Sequence, residues 1–171
     1  GAPERFGLGA QAMCGLQARL IYATVSGFGD TTASQGRVGF DIAAQAESGL
    51  MSVTGDANGE PQKVGVPIID SATTHVVAEA VLAALFQRER TGRGAIINTS
   101  LLEVALSLQA SNFTDFLLRD VEPRRVGNGQ PNNAPAAELV RTKDGAIVLS
   151  AYAEDHWARF CRLLKRDELI V

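Results

Sequence analysis

Two short β-branched runs, held apart by a long apolar helix, constrain this chain most. Leu20-Ile21-Tyr22-Ala23-Thr24-Val25-Ser26 and Ala95-Ile96-Ile97-Asn98-Thr99 are near-continuous apolar segments, suited to buried strands. Ahead of the second run, Val76, Val77, Ala80, Val81, Ala84 and Leu85 recur at helical spacing and form a wide apolar face, which implies a helix over residues 76–86 packed on most sides. It ends within residues 87–94, where Arg88, Arg90 and Arg93 cluster, with basic residues in the last turn and glycine as the C-cap. Those arginines read as compensation of the helix dipole at a solvated helix end, with phosphate binding as the alternative. After the second run, Ser100 and Glu103 form an S-x-x-E capping box for another apolar helix, expected over residues 101–117. Strand, helix, strand, helix predicts an α/β fold with a parallel sheet, in which residues 20–26 and 95–99 are parallel strands of the same sheet.

The stretch Val66-Pro67-Ile68-Ile69-Asp70-Ser71-Ala72-Thr73-Thr74-His75 joins an extended segment to the long helix. Asp70 is expected at the junction, on the helix's first free N–H groups and positive dipole end. There a carboxylate stays ionised and in place, as a nucleophile requires. An ordinary N-cap has the same pattern. The first strand stops at Gly27-Phe28-Gly29-Asp30, a turn by its glycines. Loops after parallel strands are where α/β folds place ligands, and a plain tight turn reads the same.

Residues 40–48 read as a helix that Gly49 ends, and residues 54–63 as a surface loop or hairpin turn. Residues 122–135 are long, polar and rich in Gly, Asn and Pro, which marks a boundary. Beyond it, two runs flanking Lys143-Asp144-Gly145 predict a hairpin. Glu154 or Asp155 opens a last amphipathic helix, with His156 on its first turn as a surface residue. The domain reading is therefore 1–120, a linker over 121–136, and the start of a smaller domain over 137–171.

With 171 residues, 46% of them hydrophobic, the chain is long enough to bury a core. A net charge of −3 gives no reason to expect nucleic acid or an anionic membrane as partner. Cys14 and Cys161 lack zinc spacing, so no metal is expected, and they read as reduced thiols of a cytoplasmic protein. No apolar run is expected to span a membrane, and no signal peptide is visible. The chain starts without Met and ends on Leu169-Ile170-Val171, as though cut from something longer.

Six pieces occur in order: LIYATVSGFG from Leu20 to Gly29, Gly39-Phe40-Asp41, Gly49-Leu50-Met51-Ser52-Val53-Thr54-Gly55, Val64-Gly65-Val66-Pro67-Ile68-Ile69-Asp70, the run Arg88 to Gly94, and Arg141-Thr142-x-Asp144-Gly145. Together they resemble the family III CoA-transferases (CaiB/BaiF type), which include formyl-CoA and carnitine CoA-transferases and α-methylacyl-CoA racemase. The likeness covers nearly the whole chain. The family's chains are more than twice as long, so it implies a central fragment: part of a large Rossmann-like domain plus the start of a smaller α/β domain, from a homodimer whose two chains interlock.

The resemblance makes Asp70 the catalytic aspartate. It would attack an acyl-CoA thioester to give an acyl–aspartyl anhydride, then an aspartyl-CoA thioester, before a carboxylic acid acceptor completes the exchange. Coenzyme A is then a substrate, held by Arg5 and by the loop Gly27, Phe28 and Gly29. Gly127-Asn128-Gly129-Gln130 lies where some members carry a glycine-rich loop over the active site. The racemase subgroup needs a second base opposite the aspartate. Where that subgroup has histidine, this chain has Phe40, which moves no proton; Glu154 matches only the glutamate that supports it. Transferase is the expected activity. Racemase-type epimerisation and a non-catalytic acyl-CoA-binding fragment are the alternatives.

Overall fold

A computed structural model of the chain describes residues 2–34, 36–130 and 136–170. The order is α1 (Ala2–Arg5), α2 (Ala10–Leu16), β1 (Ile21–Ser26), α3 (Asp41–Glu47), α4 (Leu50–Val53), α5 (Ile68–Thr91), β2 (Ala95–Ser100), α6 (Leu101–Ser107), α7 (Ala110–Arg119), β3 (Ala137–Arg141), β4 (Ala146–Ser150) and α8 (Glu154–Leu163), then a 3₁₀ turn at Asp167–Leu169. The residues gather into two compact units, one of Gly1–Met51 with Lys63–Thr114, the other of Ser52–Gln62 with Asp115–Val171.

In the first unit β1 and β2 pair in parallel, from Ile21 against Ala95 to Ser26 against Ser100. The expected pairing is therefore present, and both strands end at the same level. At their start, Gly94 donates its N–H to Ala18 O at 2.8 Å. A Cβ on Gly94 would lie 1.8 Å from Leu20 O, so only glycine lets the chain leave α5 this close to β1. At their far end Leu102 N–H donates to Gly27 O at 3.1 Å, which ties the start of α6 to the turn after β1.

The long helix differs from its expected form at its start and along its sides. It begins at Ile68, so Asp70 lies inside its first turn rather than ahead of it. Pro67 occupies the cap position and supplies no side-chain bond. Gly92 closes the helix in the left-handed region (φ 72°), its N–H on Arg88 O. Only Ile69, Thr73 and Ala84 are buried, and Leu82 and Phe86 stand largely exposed, so the packing expected on most sides is absent within this chain. By length and composition α5 is also long and apolar enough to cross a membrane, against the expectation of no such run. A core helix of a soluble protein passes the same test.

The helix expected over residues 101–117 is two helices. The chain turns at Leu108 and Gln109, where the buried Gln109 side chain donates to Ser48 O at 3.0 Å and to Ala105 O at 3.2 Å. Its amide thereby joins the end of α6 to the end of α3. The core of the unit is Ala44, Ile69, Leu101 and Ala105, with Leu50 and Ile68 against it.

The second unit is built around Arg125. Its guanidinium donates to Ser52 O in α4 at 2.9 Å and to two carbonyls of the loop that follows, Gly59 O at 2.9 Å and Asp56 O at 3.3 Å. Gly127 N–H adds a bond to Gly55 O at 3.1 Å. A planar fork suits several carbonyls at once, and here it fixes the loop read from sequence at residues 54–63. The hairpin is present as an antiparallel pair, Ala137 opposite Ser150 through Arg141 opposite Ala146. α8 buries Cys161, and Trp157 donates its indole N–H to Leu169 O at 2.9 Å. His156 is exposed. Pro131–Pro135 of the polar boundary stretch lie outside the described residues, as do Gly1 and Val171.

Candidate active site

Asp70 occupies the third position of α5, beside the fully buried Ile69. Successive residues project about 100° apart around a helix, so the anchored Ile69 turns Asp70 outward to an exposed position. Among the described residues, no hydrogen bond or ion pair engages its carboxylate; its backbone carbonyl accepts from Thr74 Oγ1 at 3.0 Å. The helix's free N–H groups are taken by another residue. Asp41 Oδ2 accepts from Ile69 N–H at 2.7 Å and from Asp70 N–H at 3.1 Å. Asp41, not Asp70, caps this helix. The helix dipole still favours a negative charge at Asp70, which lies in the first turn.

Asp41 is itself held. Gln45, one turn along α3 and only 1% exposed, donates its amide N–H to Asp41 Oδ1. The other end of that amide accepts from Val64 N–H at 2.8 Å. One pair of side chains on α3 thus fastens the segment before α5 at Val64 and the helix itself at Ile69 and Asp70.

The turn after β1 reaches the same place through backbone. A Cβ on Gly27 would fall 2.3 Å from the Gly39 Cα, and a Cβ on Gly39 would fall 2.3 Å from the Gly27 Cα. The two segments touch with no side chain between them, and Gly39 leads directly into Phe40 and Asp41. Ser26 Oγ accepts from Gly29 N–H at 2.9 Å, and Ser34 Oγ donates to Gly29 O at 2.7 Å, which shapes the turn. Gly29 takes φ 83°, where glycine is favoured. The Phe28 ring is buried (8% exposed) beneath the Arg37 guanidinium, 4.0 Å from its centroid. Its side chain is committed to packing and a cation–π contact, which leaves the backbone of Gly27 and Gly29 as the available part of this loop.

The turn of Gly27, Phe28 and Gly29 is therefore linked to the start of α5, through Gly39 and Asp41. Arg5 is not: it is exposed on α1, and no hydrogen bond or ion pair links it to the others. The arginines at the end of α5 are engaged locally. Arg88 donates to Arg19 O, Arg19 pairs with Glu89 at 3.1 Å, and Arg90 lies 5.3 Å from the Phe86 ring. Sequence reading missed Asp41 and Gln45 as site residues. Their i, i+4 spacing and the preceding glycine were visible, but nothing local told which distant N–H groups they would meet.

Residues 1–170 match CoA-transferase family III. The chain is 34% identical, over 99% of its length and 43% of the relative's, to a succinyl-CoA:mesaconate CoA-transferase of Haloarcula hispanica. It is 33% identical to a human succinyl-CoA:glutarate CoA-transferase, over 99% of this chain and 39% of that one. A CaiB/BaiF family protein from Brucella suis superposes with a TM-score of 0.82 at 30% identity, covering 98% of this chain and 44% of the other. A hypothetical protein from Mycobacterium tuberculosis superposes at 0.83 and 34% identity, covering 99% and 44%. The chain spans about two-fifths of the length of these relatives. A parallel β1–β2 pair, an outward carboxylate at the start of α5 and a match along nearly every residue converge: the chain belongs to CoA-transferase family III.

Proposed function

We propose that the full-length protein transfers coenzyme A between an acyl-CoA and a carboxylic acid, with Asp70 as the nucleophile. The supporting observation is that Asp70 sits in the first turn of α5 while a different residue does the capping, so its carboxylate stays free to react. A carboxylate oxygen attacks the thioester carbonyl, the C–S bond breaks, and CoA leaves as thiolate with an acyl–aspartyl anhydride behind. The thiolate then attacks the aspartyl carbonyl, giving an aspartyl-CoA thioester and the donor's free acid. The acceptor carboxylate attacks that thioester, and the returning thiolate takes the acceptor's acyl group and frees Asp70. A racemase would need a second base, and Phe40 immediately before Asp41 offers none.

The finer assignments belong to the same reading. Coenzyme A lies against the backbone of Gly27 and Gly29, with Arg5 on its phosphates once the rest of the enzyme is in place. Residues 1–120 belong to the large domain, 121–136 link, and 137–171 open the small one. The enzyme is a cytoplasmic interlocked homodimer. Its relatives' named donor, succinyl-CoA, is the first thioester to assay.

Trapping tests the nucleophile. Hydroxylamine or borohydride added during turnover labels Asp70 in peptide mass analysis, and Asp70→Asn abolishes both label and transfer. A label on Asp41 or Glu154, or near-normal transfer by Asp70→Asn, rejects the mechanism.

A further inference from the structure

We infer that Asp41 and Gln45 act as a positioning pair that sets where the Asp70 carboxylate stands; this rests on Asp70 being the nucleophile. The inference follows from polarity. Val64 offers an N–H, which requires an acceptor, and Asp41 is a carboxylate, which requires a donor. Only one orientation of the Gln45 amide meets both. Once Gln45 is fixed, Asp41 Oδ1 is occupied and Oδ2 is aimed at Ile69 N–H and Asp70 N–H. The bond to Asp70 N–H acts on the nucleophile's own backbone. Gln45 is buried, so water does not replace a lost partner cheaply. Neither side chain touches the reacting atoms; both act through Asp70.

The same polarity gives the test. In Asp41→Asn, the new amide keeps an oxygen for Ile69 and Asp70 but turns its NH₂ toward the NH₂ of Gln45. Flipping Gln45 merely moves the donor–donor clash to Val64. In Gln45→Glu, two carboxylates face each other. In the double variant Asp41→Asn/Gln45→Glu, every hydrogen bond returns with the central one reversed. The amide introduced at position 41 donates, and the carboxylate introduced at position 45 accepts both from it and from Val64 N–H.

The wild type, these three variants and Asp70→Asn are made in the full-length enzyme. They are assayed with the acyl-CoA that the wild type turns over fastest, and amide hydrogen exchange is followed at Val64, Ile69 and Asp70. Each single variant is expected to lower kcat about tenfold to a hundredfold, the scale of a 1 Å misplacement. KM for the acyl-CoA stays within about twofold, and protection falls at residues 64, 69 and 70. The double variant returns kcat to within about threefold of wild type and restores protection. Single variants with normal kcat, or a double variant no better than either single, overturn the positioning role while leaving Asp70 as nucleophile. An active Asp70→Asn overturns the nucleophile and this inference together.

Discussion

α6 and α5 lie in the same unit and begin in opposite ways. α6 is capped by the residue next to it in sequence: Ser100 Oγ accepts from Glu103 N–H at 3.1 Å and donates to Glu103 Oε2 at 3.0 Å. Its first-turn carboxylate is consumed in that box. α5 is capped from 28 or 29 residues away by Asp41, and its first-turn carboxylate makes no such bond. A local cap is self-sufficient and chemically closed. A borrowed cap leaves the helix's own carboxylate at the positive end of the dipole without a hydrogen bond, as the proposed nucleophile requires.

The largest expected effect separates the two carboxylates. Asp70→Asn in the full-length enzyme is expected to cost on the order of a thousandfold or more in turnover. It should move the unfolding free energy by less than about 0.5 kcal/mol, since no bond to that carboxylate is lost. If urea melts instead show a loss of cap size, Asp70 holds the helix and the contrast with Glu103 collapses.

Asp41→Ala comes next. It removes the cap, worth about 1 kcal/mol, and orphans the buried Gln45 amide, worth about 1–3 kcal/mol more. A loss near 3 kcal/mol in denaturant unfolding is expected. Ser100→Ala removes only a local cap and should cost about 1 kcal/mol. Equal costs for these two variants would mean that the distant cap is no more connected than the local one. Smallest is Thr74→Ala. Its hydroxyl back-bonds to the Asp70 carbonyl at an exposed site, where alanine also favours the helix. Stability should stay within about 0.5 kcal/mol, and a larger loss would show that the turn itself, not α3, fixes the start of α5.

The same contrast explains what the sequence disclosed. The capping box, the glycine stop at Gly92, the hairpin and the parallel pairing each depend on neighbours or on a period, and all four are present. Asp70 was legible as a residue to watch, though its place was taken one turn too early, because the sequence shows a carboxylate before an apolar helix without showing who bonds the free N–H groups. The break at Leu108 and Gln109 escaped notice because apolar spacing runs on through it; what turns the chain is a side-chain bond to Ser48, a residue 61 positions away. The burial expected along α5 also failed for a physical reason. Apolar spacing announces a face to be covered, and within this chain little covers it.

Gly27 and Gly39 meet with no side chain between them, and side chains are what normally give a packed contact its compliance. The turn after β1 and the segment leading to Asp41 are in this sense a rigid coupling rather than a sprung one. That contact and the two bonds of Asp41 form one continuous path from the turn after β1 to the helix that carries Asp70.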